Sequence, residues 1–280
     1  MPAPCDQQTA QAAPPQVQLR LQDAQVQSNK RLTGDLWQLV VNAPAIAQTV
    51  QPGQFVHVLL NDKPQHILRR PLSVHGVLPA AGGGTQAEQL SLLYQVVGAG
   101  TLSLTTCKPG DFLSLLGPVG NGWHVPLKAR RILLVGGGVG LAPLTMLAEA
   151  EERRGTEVHA LIGARNEDYL LMLSCGLAAG CIRHFATDDG SMGYHGFNTD
   201  LLDGLFDELG FDYVATCGPE PMQRIVAGKA AARGIACEVS LERRMACGLG
   251  ACLSCVVDTV GGKKRACVDG PVFDAREVCW

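Results

Sequence analysis

The tightest constraint on this chain lies near its C-terminus. Cys247, Cys252 and Cys255 form a Cys-x4-Cys-x2-Cys run, and Cys267 follows after eleven intervening residues. Four thiolates at this spacing make the ligand set of a [2Fe–2S] cluster. Two iron atoms need four soft, anionic ligands converging from one loop. Gly248 and Gly250 let the backbone turn closely around the sulfides, where a side chain would collide with them. Four crowded thiolates repel one another without metal, so the bound cluster stabilises the segment that holds it. The alternatives are a zinc site or buried free cysteines. Zinc sites favour paired Cys-x2-Cys units, whereas the first gap here is four residues and glycine-rich. The iron–sulfur reading is therefore preferred, and it makes this a chain that moves electrons singly.

The chain has 280 residues, enough for about two or three compact units with cores of their own. The chain contains eleven cysteines, but only four fall into a tight pattern; the other seven are scattered singly, which suits a reducing cytoplasm better than a disulfide framework. A net charge of −3 gives no reason to expect nucleic acid or an anionic membrane as partner. No apolar run reaches the roughly 18 residues of a membrane span, and Met1-Pro-Ala-Pro lacks the basic-then-apolar order of a secretory signal. Residues 1–18, rich in Pro, Gln and Ala, are expected to form a mobile tail.

Residues 19–126 have a β-type pattern. Apolar runs at Leu36–Val41, Gln54–Leu60, Leu90–Val97 and Asp111–Leu116 are punctuated by Pro52-Gly53, Gly82–Gly84 and Pro109-Gly110, which predicts a small antiparallel barrel. Inside it, Arg69-Arg70-Pro71-Leu72-Ser73 puts a basic pair beside a proline. The proline marks a sheet edge with backbone groups free for a ligand, and an arginine there can fork onto a phosphate. Residues 127–236 alternate strands and helices, which predicts an open parallel sheet. An apolar strand from Arg131 runs into Gly136-Gly137-Gly138-Val139-Gly140 and then a helix-periodic segment. This is the context in which a nucleotide pyrophosphate sits on backbone N–H groups. Cys217, ending the apolar run Tyr213–Cys217 ahead of Gly218-Pro219, is placed at the same carboxyl edge of the sheet. Residues 237–280 carry the cluster. Cys237–Glu242 reads as a short strand or linker, and a Gly261-Gly262 turn returns the fourth ligand as a hairpin. The basic Lys263-Lys264-Arg265 beside it reads as a solvated turn or as a docking rim.

Taken in this order, an Arg-Pro-x-Ser, a Gly-Gly-Gly-x-Gly-x-x-Pro loop, a Cys-Gly-Pro and a C-terminal four-cysteine cluster run from about residue 18 to 280. That whole resembles the electron-transfer, iron–sulfur subunits of B-type dihydroorotate dehydrogenases, within the ferredoxin-reductase superfamily. Ser240–Cys255 looks especially close. The resemblance implies FAD in the cleft between barrel and sheet. Arg70, Pro71, Leu72 and Ser73 match the flavin motif, with Arg70 on the FAD phosphates and Ser73 near the flavin N5; Leu93, Tyr94 and Gln95, then Gly100 and Thr101, match the later FAD-holding stretches. Leu72 cannot stack on the ring as the aromatic common in the wider superfamily does, but it is compatible with the nearer family. Gly136, Gly137, Gly138 and Gly140 match the pyridine-nucleotide site, Cys217 the cysteine beside the nicotinamide, and Cys247, Cys252, Cys255 and Cys267 the cluster ligands.

The implied chemistry is conversion between a two-electron carrier, NAD(H), and a one-electron carrier, the cluster, with the flavin between them. The implied partner is an FMN-containing dihydroorotate dehydrogenase catalytic subunit, in a heterotetramer of two chains of each kind serving pyrimidine biosynthesis, since nothing in this chain reads as an orotate site. A reductase of the same architecture serving a ferredoxin, an oxygenase or a hydrogenase-type complex shares these motifs. A redox sensor without turnover would not need the flavin and nucleotide features. The choice of NADH or NADPH is open at Gly163–Asp168, which offers both an arginine and carboxylates; the family inclines to NADH.

Overall fold

The computed structural model describes residues 19–60, 67–80 and 85–280. The tail expected over residues 1–18 and the Gly82–Gly84 turn lie outside the described residues. The first unit comprises β1 (Arg20–Thr33), β2 (Leu36–Asn42), the short helix α1 (Pro44–Ala47), β3 (Phe55–Leu60), β4 (Arg70–Pro79), β5 (Ala87–Gln95), α2 (Ala99–Leu104) and β6 (Phe112–Val119). The six strands close into an antiparallel barrel in the order β1-β2-β5-β4-β3-β6. Period-two patterning explains it. Leu39 and Val41, Val56 and Val58, Leu72 and Val74, Leu90 and Leu92, and Leu113 and Leu115 all point inward to one core. Each such side chain gains about 1.5–3 kcal/mol by burial. The strand β1 is not evident as a separate element in the sequence, because only Ala24 and Val26 of its fourteen residues are buried.

One seam of the barrel is open. β4 and β5 pair from Pro79↔Ala87 to Val74↔Leu92 and then part. Beyond that point Arg70–Ser73 pair with β3 and Leu93–Gln95 pair with β2. The sheet edge expected at Pro71 is thus a local one within a closed barrel, and Pro71 has no N–H to leave unsatisfied there.

The second unit is a parallel sheet. It contains β7 (Arg131–Gly137), α3 (Ala142–Arg153), β8 (Glu157–Ala164), α4 (Glu167–Ser174), β9 (Ile182–Thr187), β10 (Tyr194–His195), α5 (Leu202–Leu209), β11 (Tyr213–Cys217), α6 (Glu220–Ala232) and β12 (Ala236–Ser240). The last stretch adds the hairpin β13 (Val256–Thr259) and β14 (Gly262–Arg265), then β15 (Val272–Asp274). The sheet order is β10-β9-β8-β7-β11-β12-β15, with β15 antiparallel at the edge. The segment Cys237–Glu242 is therefore mostly sheet, and the chain returns to the same sheet after the cluster loop. The hairpin turn sits one residue earlier than expected: Thr259 pairs with Gly262, so Val260 and Gly261 form the turn. No helix among the described residues is long and apolar enough to cross a membrane.

Helix α3 wedges the two units together. Leu144, Leu147 and Ala148 pack in the sheet core, while Met146 enters the barrel core. The Thr145 hydroxyl donates to the His75 carbonyl on β4. The His75 ring lies against Gly176, just past α4, leaving no room for a Cβ there, and its Nδ1 is 3.3 Å from the Ser91 hydroxyl. Burial pushes this imidazole down to about 4 from an ordinary 6.5. The folded chain thus keeps it neutral where the unfolded chain protonates it, so the stability it carries is present above pH 6.5 and is lost as pH falls toward 4. In urea unfolding at pH 7.5, 6 and 5, the native chain is expected to lose stability relative to His75→Gln as pH falls. Parallel pH profiles for the two chains would contradict this assignment.

Candidate functional site

The open seam between β4 and β5 is the mouth of a cavity of about 890 Å³. The expected flavin residues Arg70, Pro71, Leu72 and Ser73 line one side of it, and Leu93, Tyr94, Gln95 and Thr101 the other. Gly100 lies beneath the Arg70 guanidinium. A Cβ at Gly100 would fall 2.1 Å from Arg70 Nε, so the missing side chain is what lets the arginine lie over the start of α2. Arg70 also donates to the Leu68 carbonyl. Leu72 and Tyr94 are mostly buried in the barrel core, and the Tyr94 hydroxyl donates to Asn29 Oδ1 at 3.0 Å rather than into the cavity. A cradle of one guanidinium, a glycine-cleared approach and strand backbone fits a flavin dinucleotide, with Arg70 as the group for its phosphates.

The glycine loop after β7 opens a second cavity of about 680 Å³, lined by Gly137, Gly138 and Gly140 and by Met222, Asn198 and Arg165. Gly140 is required by a close approach: a Cβ there would meet the Cys217 carbonyl oxygen at 2.5 Å and Gly218 Cα at 2.6 Å. Gly136 packs under Leu141, and its carbonyl accepts from Asn198 Nδ2 at 3.1 Å, so it shapes the loop without lining the cavity. A glycine loop opening a helix beyond a parallel strand fits a nucleotide pyrophosphate. Cys217 ends β11 and lines the first cavity. Burial pushes its thiol well above the usual range, with Glu242 nearby adding to the effect, so it is held as a neutral thiol.

The two cavities share a wall. Gln95, Val139, Gly140, Leu241, Glu242 and Arg243 line both. A polar latch beside them holds barrel and sheet in register. Gln95 Nε2 donates to Asp35 Oδ2 at 2.7 Å, and the Tyr169 hydroxyl donates to Asp35 Oδ1. Arg165 lies 3.4 Å from the same carboxylate and 4.4 Å over the Tyr169 ring.

From Leu241 the chain passes along both cavities and enters the cluster loop. Gly248 and Gly250 there take φ values of +70° and +78°, and Leu253 one of 57°. These left-handed turns fold the loop back on itself. Cys255 and Cys267 are buried, Cys247 is half-buried and Cys252 is exposed. The Leu249 N–H donates to Cys247 Sγ at 3.3 Å; with the N–H groups of Cys252 and Ala251 it brings that thiol down to about 6. Cys267 is pushed up to about 12 by burial and by its neighbour Cys255, with Cys247 also acting on it. Cys247 thus lies near Cys252, and Cys267 near Cys255 and Cys247. Among the described residues no three His, Cys, Asp or Glu side chains converge tightly enough for one metal ion. A two-iron cluster spreads its four thiolates over two metals, and the donor set fits it.

Some lining residues carry no sequence signal. Phe55 borders the first cavity and Asn198 the second, but each reads as ordinary strand or loop content. The basic Lys263-Lys264-Arg265 is neutralised within the chain. Lys263 pairs with Asp258 at 2.7 Å, Lys264 with Glu277 at 2.6 Å and Arg265 with Asp269 at 3.0 Å. That leaves little free charge for a docking rim.

Residues 242–279 match the family described as the iron–sulfur cluster binding domain of dihydroorotate dehydrogenase B. The dihydroorotate dehydrogenase B (NAD(+)) electron transfer subunit of Desulforamulus reducens is 36% identical over 262 residues, covering 92% of this chain and 98% of its own. That of Bacillus caldolyticus is 38% identical over 260 residues, 90% of this chain and 96% of its own. Among solved structures, a chain of the NADH-dependent reduced ferredoxin–NADP oxidoreductase superposes with a TM-score of 0.82 at 33% identity, covering 92% of this chain and 90% of that one. The ferredoxin reductase of carbazole 1,9a-dioxygenase shares the fold, with a TM-score of 0.66 at 22% identity over 79% of this chain and 68% of its own. With relatives this similar over nearly the whole length, the chain belongs to the family of dihydroorotate dehydrogenase B (NAD(+)) electron transfer subunits.

Proposed function

We propose that this chain carries electrons between an FMN-containing dihydroorotate dehydrogenase catalytic subunit and NAD+, through a [2Fe–2S] cluster and FAD, in an assembly of two chains of each kind. The observation that carries the reading is the lining of both cavities by Leu241, Glu242 and Arg243, in the segment that leads directly into the cluster loop. A nicotinamide exchanges two electrons as a hydride, a [2Fe–2S] cluster takes one at a time, and a flavin can do both. The chain's own part is to hold these groups within short range of one another. Arg70 binds the FAD phosphates, and Ser73 and Thr101 border the flavin on either side of the seam. Gly137, Gly138 and Gly140 admit the nucleotide phosphates, with no Cβ in the way. Cys217, buried at the end of β11 against the Gly140 approach, gives the nicotinamide a shaped, uncharged neighbour. Cys247, Cys252, Cys255 and Cys267 hold the cluster, with the exposed Cys252 and the flanking Leu249 and Leu253, both more than half exposed, on the side open to a partner.

The decisive experiment is co-purification with a dihydroorotate dehydrogenase catalytic subunit from the same source, followed by orotate formation coupled to NAD+ reduction. A second reading is favoured by the 33% identity to a chain of a ferredoxin–NADP oxidoreductase: the same relay serving a ferredoxin-linked partner. Association with the catalytic subunit and coupled turnover are expected. Failure to associate, with ready reduction of a ferredoxin instead, would establish the second reading.

The order of carriers is tested within the chain alone. The anaerobic preparation is expected to hold one FAD and two irons. Cys252→Ser is expected to lose the cluster while NADH still bleaches the flavin at close to the native rate in stopped flow. Loss of flavin reduction with FAD still bound would contradict the order.

A further inference from the structure

His57 lies on β3 inside the protein, fully buried. Its two ring nitrogens are treated very differently. Nε2 is 3.4 Å from the Met245 sulfur, while Nδ1 is buried with no hydrogen-bond partner among the described residues. The ring packs on Phe55 with centroids 5.5 Å apart. It also lies against Gly248, where a Cβ would come within 3.2 Å of the ring. Phe55 and Met245 both line the flavin cavity, and Gly248 is bonded to the cluster cysteine Cys247. One side chain thus touches the wall of the flavin site and the backbone of the cluster loop together.

A leucine or phenylalanine would fill this space without burying an unpartnered polar atom, which costs stability. Buried polar groups left unsatisfied in a folded protein call for an explanation. The neighbours of His57 restrict it further. Pro71 is its partner across β4, with no N–H to offer. Arg69, the nearest cation, is committed to backbone carbonyls, donating to Ser114 at 2.8 Å and to His57's own carbonyl at 3.4 Å. Burial, with the Arg69 charge, keeps the imidazole neutral, its pKa pushed down to about 4. A thioether accepts but cannot donate, so the Met245 contact selects the tautomer with the proton on Nε2. That contact is directional in a way that a hydrocarbon contact is not.

We propose that His57 is a positioning residue that fixes the cluster loop against the flavin-binding strand and so sets how fast electrons pass between flavin and cluster. The inference deepens the proposed function and rests on its assignment of FAD and a [2Fe–2S] cluster to these two sites. The step governed moves one electron from the reduced flavin to the oxidised cluster. The second electron follows after the cluster has handed the first to the partner or to an artificial one-electron acceptor.

The test uses the full chain, purified anaerobically with flavin and iron quantified. His57→Phe is expected to retain both cofactors and the native rate of NADH-driven flavin bleaching. Cluster reduction should slow by about tenfold or more, as for loss of an outer-shell partner of a metal site, and the EPR spectrum of the reduced cluster should shift. His57→Gln, which restores a donor near the Nε2 position, should recover part of the rate. Met245→Leu should slow cluster reduction in the same direction by a smaller factor. A His57→Phe chain with full iron whose cluster-reduction rate and EPR spectrum match the native ones overturns the inference and leaves the function standing. If His57→Phe loses iron, Met245→Leu decides, and a native rate and spectrum in that variant overturn the inference equally. A native preparation with neither flavin nor iron overturns the function and this inference with it.

Discussion

The structure depends on one short stretch of chain, Ser240–Met245. It leaves the last parallel strand, borders both cavities and becomes the cluster loop within six residues. Two anchors hold it. The Leu241 N–H donates to the Pro271 carbonyl at 2.9 Å, so the entry to the cluster loop is tied to its exit. Arg243 meets Glu220 at the start of α6, 3.1 Å away. Electron transfer between cofactors falls off steeply with distance, so a chain that carries three of them must bring three otherwise separate elements to one place. Here the barrel seam, the glycine loop and the cysteine loop meet along this stretch.

The barrel contributes through what it leaves undone. If β4 and β5 stayed paired along their whole length, Arg70–Ser73 and Leu93–Gln95 would satisfy each other and no mouth would exist. Their divergence past Val74 and Leu92 opens the backbone to a ligand. The rest of the closed barrel and the wedge of α3 keep the opening rigid. The Asp35–Gln95–Tyr169–Arg165 latch then fixes the second cavity against the first. Asp35 is held below the usual carboxylate range although burial works against it, because Tyr169, Gln95 and Arg165 all favour its charged form.

What could be read from the sequence was what is local. The glycine loop between an apolar strand and a helix and the Arg70–Ser73 motif each sit within about a dozen residues, the cysteine spacing within 21, and the first two line cavities. The parallel strand Tyr213–Cys217 was legible to the residue, because a fully buried strand is a continuous apolar run. The polar strand β1 was not, since its neighbours rather than its composition make it a strand. His57, Asp35 and Asn198 were invisible for a related reason. Their roles come from strand register and from loops more than sixty residues away, as in the His57–Met245 contact. The basic Lys263–Arg265 is the converse case. Its charge is plain in the sequence, but its acidic partners are supplied by the fold.

The central claim is that electrons pass between the pyridine nucleotide and the cluster only by way of the FAD. Rapid-freeze EPR on the anaerobic chain mixed with NADH tests it most directly, with and without prior removal of FAD. The account predicts that in the complete chain the flavin bleaches first and the reduced-cluster signal grows afterwards, while in the FAD-depleted chain the cluster stays oxidised. A reduced-cluster signal raised by NADH at an undiminished rate in the absence of flavin would contradict it.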